Sequence, residues 1–492
     1  MSTEELSPKG KLLASENAKA FVTPATSNKL APMARLLRVT LDFKQSNMRL
    51  FIGVILAILM LSCSSQRLPQ STQQTFQTPQ NIKIYEGSGR TLGPCEPSIY
   101  INPNDTDEIV AGSILHSVHR SSDGGRTWTT QPLQSPLGVW GDPVIIADDN
   151  GRFYYFHLSD PTGKNWASEE ILDRIVVQTS DDGGATWSSG TGIGHRPPAD
   201  QDKEWASVDP KTGAIYTTWT EFDDYGKTDI NCSRILFSMS TDQGVNWSEP
   251  ITLSNTEGDC VDDDMTTEGA VPASDGDGNI YVAWSNRHPA HGDVGGIFLD
   301  HSSDFGKTWE STDRLVATQP GGWTQDVKGL NRSNGMPITL VDNSGGPHDG
   351  RVYIAWADLR NGETNSDIWA MHSDDQGATF TDPVRVNQDE TETAQFLPWL
   401  TIDQSTGKLY MIFYDRSQHP AGSVLTDVVL ASSSDGVTWS QQTISESSFD
   451  PTGCPFFGDY NNIHAVDGQV RPIWTRYENG KLSVWTALVE DK

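Results

Sequence analysis

The stretch SSDGGRTW, Ser121–Trp128, reads as a tight polar turn that ends on an aromatic anchor, and it recurs. SDDGGATW (Ser180–Trp187), STDQGVNW (Ser240–Trp247), SSDFGKTW (Ser302–Trp309) and SDDQGATF (Ser373–Phe380) repeat it, and a shortened SSDGVTW ends at Trp439. The aromatic ends fall at 128, 187, 247, 309, 380 and 439, a period near 60 residues. A fixed period of that length means one supersecondary unit stacked many times.

A second repeat keeps step with the first. GRFYYFHLSD at Gly151, GAIYTTWTEFD at Gly213, GNIYVAWSNR at Gly278, GRVYIAWADLR at Gly350 and GKLYMIFYDR at Gly407 each place a glycine turn before an aromatic and β-branched strand. GQVRPIWTR at Gly468 and DEIVAGSIL at Asp107 are looser copies. Each is flanked by a short strand on either side, so every period holds four strands separated by turn residues, the pattern of a β-propeller blade. The first two strands of the unit occur seven times. The last unit supplies only three strands, and NIKIYEG at Asn81–Gly87 supplies the fourth, which closes the ring and removes its open edge. The expectation is an all-β, seven-bladed propeller over residues 81–492, with a six-bladed ring as the alternative.

The N-terminal segments carry no such pattern. Residues 1–47 are an unpatterned extension. Residues 48–63 combine Arg49, the apolar run LFIGVILAILML and then Ser62–Cys63. Twelve apolar residues are short for a membrane span and fit the core of a secretory signal. Residues 64–80, rich in Ser, Gln, Thr and Pro, read as a tether too poor in apolar residues to fold. The chain as a whole has a formal charge of −30, and beyond residue 63 it holds 27 basic against 61 acidic residues, a net of −34. Such a body does not bind nucleic acid, which requires a basic face.

The repeated S-x-D-x-G-x-T-W resembles the Asp-box of bacterial neuraminidase repeats, and the chain from residue 81 resembles the sialidase-like propeller proteins. Cys63, directly after an apolar run, resembles the lipidation site of bacterial lipoproteins, although Met60 replaces the usual Leu, Val or Ile of the cleavage box. The resemblance implies an exported or cell-envelope protein, a monomer that meets the membrane only through its lipid. It also implies that the boxes lie between third and fourth strands and serve structure, so chemistry belongs on the opposite face.

Alternation of strand direction says which residues that face collects. The connections into the first strands carry Glu96, Asp142, Glu204, Glu268, Asp459 and Tyr460. The second strands end near Arg287, Arg360, Arg416 and Arg476. A sialidase needs arginine forks for the substrate carboxylate, a tyrosine nucleophile with a Glu partner, and an Asp acid/base. The resemblance therefore implies Arg287, Arg360 and Arg416 as the clamp, with Arg476 in reserve. It implies Tyr460 as nucleophile, Glu268 as its partner and Asp142 as acid/base, with Glu96, Glu204 and Asp459 as further binding groups, on an acidic sugar such as sialic acid. Against it stand the seven blades and CEPSIY, where that family has an arginine motif. The alternatives are a non-catalytic glycan- or protein-binding propeller and a hydrolase of another polysaccharide working through two carboxylates. No cofactor is required, but GDCVDDDMTTEG (Gly258–Gly269) offers oxygen ligands suited to Ca²⁺. Besides Cys63 there are four cysteines, an even number that suits an oxidising compartment. Their positions on the expected face pair Cys95 with Cys454 and Cys232 with Cys260.

Overall fold

The computed structural model describes residues 79–89, 92–287 and 295–491. The leader with Cys63, the extension before it and nearly all of the tether lie outside the described residues.

Seven antiparallel sheets follow one another along the chain, each with its strands in sequence order. Their innermost strands are Ser98–Asn102, Val144–Ala147, Asp200–Val208, Glu268–Ser274, Ile338–Val341, Gln395–Asp403 and Asn462–Val466. Residues from all seven line one narrow axial cavity. The sheet that begins at Asn462 takes its outermost strand from the other end of the chain: Asn81–Glu86 pairs antiparallel with Lys481–Ala487. The fold is a seven-bladed β-propeller.

Burial follows blade position. Gln395–Asp403, Glu268–Ser274 and the second strand Ile215–Phe222 are buried at every residue, because neighbouring blades cover both of their faces. Strands covered on both faces lose the alternation of a half-buried sheet, and the polar residues they keep are buried: the Thr217 hydroxyl donates to the Trp205 carbonyl and the Thr218 hydroxyl to the Ala270 carbonyl. Trp219, Trp284, Trp356 and Trp474 recur in the second strands and are among the largest fully buried side chains. Outer strands such as Thr129–Pro132 and Ile251–Thr252 are largely exposed and polar or short, which keeps the rim from pairing with other chains.

The repeated turn lies between third and fourth strands and has one hydrogen-bond plan. In the first copy the Ser121 hydroxyl donates to Asp123 Oδ1 at 2.8 Å and accepts from the Gly125 amide at 2.9 Å. Asp123 Oδ1 also accepts from the Arg126 and Thr127 amides, its Oδ2 accepts from the Thr127 hydroxyl at 2.6 Å, and Trp128 Nε1 donates to Gly125 O. The plan is repeated around Asp182, Asp304 and Asp375, and with Asn246 replacing the threonine around Asp242. Such acceptor-rich surroundings favour the ionised carboxylate. The Thr379 hydroxyl and amide hold the Asp375 carboxyl down to about 2.

These turns also join one blade to the one before it. The turn glycine sits at positive φ, +77° at Gly184 and +72° at Gly436, and a Cβ there would stand 3.0 Å from Val110 of the first blade and 2.5 Å from Tyr353 of the fifth. Only glycine combines the left-handed backbone with that approach. Trp247 packs edge-on against Phe156 and Trp309 against Phe237, again across a blade boundary. The seventh blade carries no such turn, because its third and fourth strands, Lys481–Ala487 and Asn81–Glu86, are not consecutive in the chain.

The expected disulfides are not formed. Cys95, Cys232, Cys260 and Cys454 are all free thiols, though the predicted partners are neighbours: Cys260 Sγ lies 2.9 Å from Cys232 O, and Cys95 Sγ 3.7 Å from the carbonyl of Phe456, two residues past Cys454.

Candidate functional site

Because each blade reverses direction at every strand, the starts of the inner strands emerge on the face opposite the repeated turns. Their backbone there is unusual. Glu96, Asp142, Lys203 and Leu397 have φ between 48° and 53°, and Gly269 takes +80° at the corresponding place. Each lies two residues before its inner strand takes up regular pairing, at Ser98, Val144, Trp205, Trp399 and Val271. A non-glycine residue in this conformation costs about 1 kcal/mol or more. Three of the four non-glycine examples are charged, and all three line one cavity of about 290 Å³.

The cavity has a charged floor and an apolar wall. Glu96, Asp142, Asp202, Lys203, Arg332 and Asp459 form the floor. Trp140, Trp166, Tyr225 and Phe456 form much of the wall, drawn from four different connections on this face. Trp166 stacks on Tyr225 at 5.9 Å and meets Trp140 edge-on at 6.2 Å. The Arg332 guanidinium lies over the Phe456 ring, 5.8 Å from its centroid.

Asp459 is the hub of the floor. It accepts both arms of Arg332, at 2.6 and 2.5 Å, and the Lys203 ammonium at 2.7 Å. Its own amide donates to Glu96 Oε1 at 3.0 Å. Lys203 also reaches Asp142 at 3.4 Å, and Arg332 reaches Asp262 at 3.0 Å, which in turn accepts from the Tyr225 hydroxyl at 2.8 Å. Burial opposes charge on Asp459, but Arg332 and then Lys203 hold its carboxyl down to about 2. Lys203 is buried, which disfavours its charge, yet Asp142, Asp459 and Asp202 hold its ammonium well above the usual range.

The other acids are driven the opposite way. Burial, reinforced by Asp142, pushes the Glu96 and Glu204 carboxyls well above their ordinary values. Burial and the charge of Asp262 do the same to Glu268, and burial raises Asp202 to about 7. All four carboxylate oxygens of Glu204 and Glu268 are buried with no hydrogen-bond partner. Tyr460, wedged edge-on against Trp205 at 5.5 Å and tilted against Trp399, has an unpartnered hydroxyl, and burial with Asp142 and Glu96 nearby drives it well above 10. Carboxyls pushed toward their neutral form beside fixed cations are the equipment of proton transfer.

The expected residues therefore divide into two groups. Glu96, Asp142 and Asp459 line the cavity; Glu204, Glu268 and Tyr460 are buried within electrostatic reach of the floor groups but do not line it. The four arginines do not converge. Arg360 forks onto Asp358 and lies 4.3 Å over the Trp369 ring. Arg476 pairs with Glu478 over Phe449 and Trp485. Arg416 donates to the Lys328 carbonyl and to Thr426, and burial pulls its guanidinium down to about 10. Arg287 pairs with Asp264 at 3.1 Å. The ends of second strands lie one layer out from the axis, and a nearby carboxylate, carbonyl or aromatic ring captures each fork locally. The cations of the floor, Lys203 and Arg332, carried no repeat signature, but alignment of the inner strands puts Lys203 at the position of Glu96 and Asp142.

In the acidic run, Asp262 serves Tyr225 and Arg332, Asp263 accepts from the Met265 amide, and Asp264 accepts from Arg287 and the Thr324 amide. Among the described residues no group of three or more His, Cys, Asp or Glu is arranged to hold a metal ion.

No family model matches the chain. A sialidase of Micromonospora viridifaciens is 34% identical over 104 residues, 18% of this chain and 16% of that protein, so the chain matches only a small part of that relative's length. Among solved structures, an ulvan lyase is similar over 84% of this chain and 96% of its own, with 11% identity and a TM-score of 0.50. The Hadza microbial sialidase Hz136 is similar over 78% of this chain and 73% of its own, with 16% identity and a TM-score of 0.44. At such identities the ulvan lyase likeness shows the propeller fold and no more.

Proposed function

We propose that the protein is a glycan-cleaving enzyme whose substrate unit sits at the axial mouth, against the Trp140–Trp166 wall and over the carboxyl floor. The observation that carries this reading is the convergence of buried carboxyls on an aromatic-walled cavity, on strained backbone, at the face opposite the structural turns. A volume near 290 Å³ is at the small end of the range for ligand sites, about 300–1,000 Å³, and suits one sugar ring. Aromatic faces bind the apolar side of a sugar, and polar floor groups orient its hydroxyls.

In this mechanism Glu96, kept protonated at neutral pH by burial, donates a proton to the leaving oxygen. Asp142, held by Lys203, serves as the second carboxylate that activates water or attacks the anomeric carbon. Hydrolysis of a panel of fluorogenic glycosides tests this. Wild type should turn over at least one of them, and Glu96→Gln and Asp142→Asn should each lower kcat by about 10²–10⁴-fold. Turnover by both variants at the wild-type rate would remove these two residues from the chemistry.

A second reading is favoured by the local match to a sialidase: sialoside hydrolysis with Tyr460 as nucleophile, Glu268 as partner and Asp142 as acid/base. It requires the Tyr460 hydroxyl to reach the substrate, so loss of sialoside turnover in Tyr460→Phe is its decisive test. We also propose export with lipidation at Cys63, which loss of lipid labelling in Cys63→Ala would test.

A further inference from the structure

Resting on the reading of the mouth as a saccharide site, the charge of its walls narrows the sugar. Four carboxyls line the cavity against two cations, and Glu204, Asp262 and Glu268 add three more carboxyls close behind. Neither cation is available to an anion. The Lys203 ammonium, 6% exposed, is shared between Asp459 and Asp142, and Arg332 spends its fork on Asp459 and its remaining arm on Asp262. An acidic sugar would have to break those buried pairs, and separating one leaves an uncompensated charge.

The carboxyls, in contrast, have acceptor capacity to spare. Glu96 takes one amide on Oε1, Asp202 one amide on Oδ1, and Asp142 one ammonium on Oδ2; their other oxygens accept nothing from the described residues. All three side chains belong to residues more than nine-tenths buried, and all three line the cavity. The half-buried Trp140 and Trp166 line the same cavity, and an indole face attracts an ammonium group.

We infer that the sugar held at this mouth is an amino sugar with a free ammonium group, taken by the open oxygens of Asp142 and Asp202 beside the indoles of Trp140 and Trp166. Burial supports the assignment at Asp202: the acid that burial pushes toward its protonated form would release that proton to a bound cation, while Glu96 keeps the proton its role as general acid requires. The body charge of −34 draws such a ligand in and repels an acidic one.

Calorimetric titration of the full chain with glucosamine oligomers, the same oligomers fully N-acetylated, and galacturonate oligomers of equal length tests the inference. Glucosamine oligomers should bind at least about tenfold more tightly than either of the others, the margin that one ionic contact in a partly buried site confers. Asp202→Asn, a near-isosteric change checked for folding by its melting curve, should remove most of that margin. Equal or tighter binding of galacturonate, or of the N-acetylated oligomers, overturns the charge assignment and leaves the saccharide reading standing. If folded protein binds none of the three but does bind or cleave another glycan, the charge assignment alone fails. If it binds and cleaves no glycan at all, both fail.

Discussion

The two faces of the ring use the same carboxyl group to opposite ends. On the turn face, Asp123 and its counterparts sit near water and accept three or four short hydrogen bonds each, so they stay ionised and brace the backbone. On the mouth face, Glu96, Asp202, Glu204 and Glu268 are buried and accept one bond or none, so their charged forms are disfavoured. A carboxyl is held ionised where donors surround it and pushed toward its neutral form where burial outweighs its donors. The difference is set by position in the blade, because both faces draw on turn-like polar sequence.

The sharpest way to break this comparison is to exchange effects between faces. Asp142→Asn should lower glycan turnover by about 10²–10⁴-fold with a melting curve close to wild type. Asp123→Ala should leave kcat and KM near wild type. If the turn variant lost turnover while keeping its stability, the division of labour between the faces would be wrong. The next largest effect belongs to the interior that both faces share: Trp356→Ala, which empties a fully buried site in a second strand, should cost about 3–5 kcal/mol in urea unfolding. Asp123→Ala should cost less than that in urea unfolding, because its turn is only one of six.

The smallest effect is a slope. Asp202 is raised in the folded state to about 7, so between about pH 4, near the unfolded value, and pH 7 the folded protein holds a proton that the unfolded chain has lost. Stability from this group is therefore full below about pH 4 and falls as pH rises through 7. Asp375, lowered to about 2, works in the other sense: its contribution is present above the unfolded value and is lost as pH falls through about 2. Tm measured from pH 4 to 8 should fall less steeply for Asp202→Asn than for wild type, while Asp375→Asn should alter the curve only at the acid end.

Much of the ring was legible because it is periodic. The turn at Ser121–Trp128 and the strand motif at Gly213 recur often enough to count blades, and Asn81–Glu86 reads as a strand in want of a partner. Strand direction alone then puts Glu96, Asp142 and Asp459 on one face. What periodicity misses is aperiodic by nature. Trp166, Tyr225, Asp262 and Arg332 come from connections of unequal length, and a position in such a loop says nothing of which way a side chain turns. The arginines at 287, 360, 416 and 476 illustrate the converse, since regular placement gave them a common face but local partners took each one aside.

The strand Asn81–Glu86 has a consequence for how the molecule is made. Its partner, Lys481–Ala487, lies some 400 residues later, so the first of the described strands to leave the ribosome waits for nearly the whole ring before it can be paired. Closing so long a loop costs little more in free energy than closing one of half its length, about 0.6 kcal/mol for each doubling, so the ring gives up little stability by fastening there. The delay falls on kinetics: until the seventh blade emerges, NIKIYE waits as an unpaired edge, and the asparagine, lysine and glutamate spaced among its two isoleucines make it a poor template for other chains.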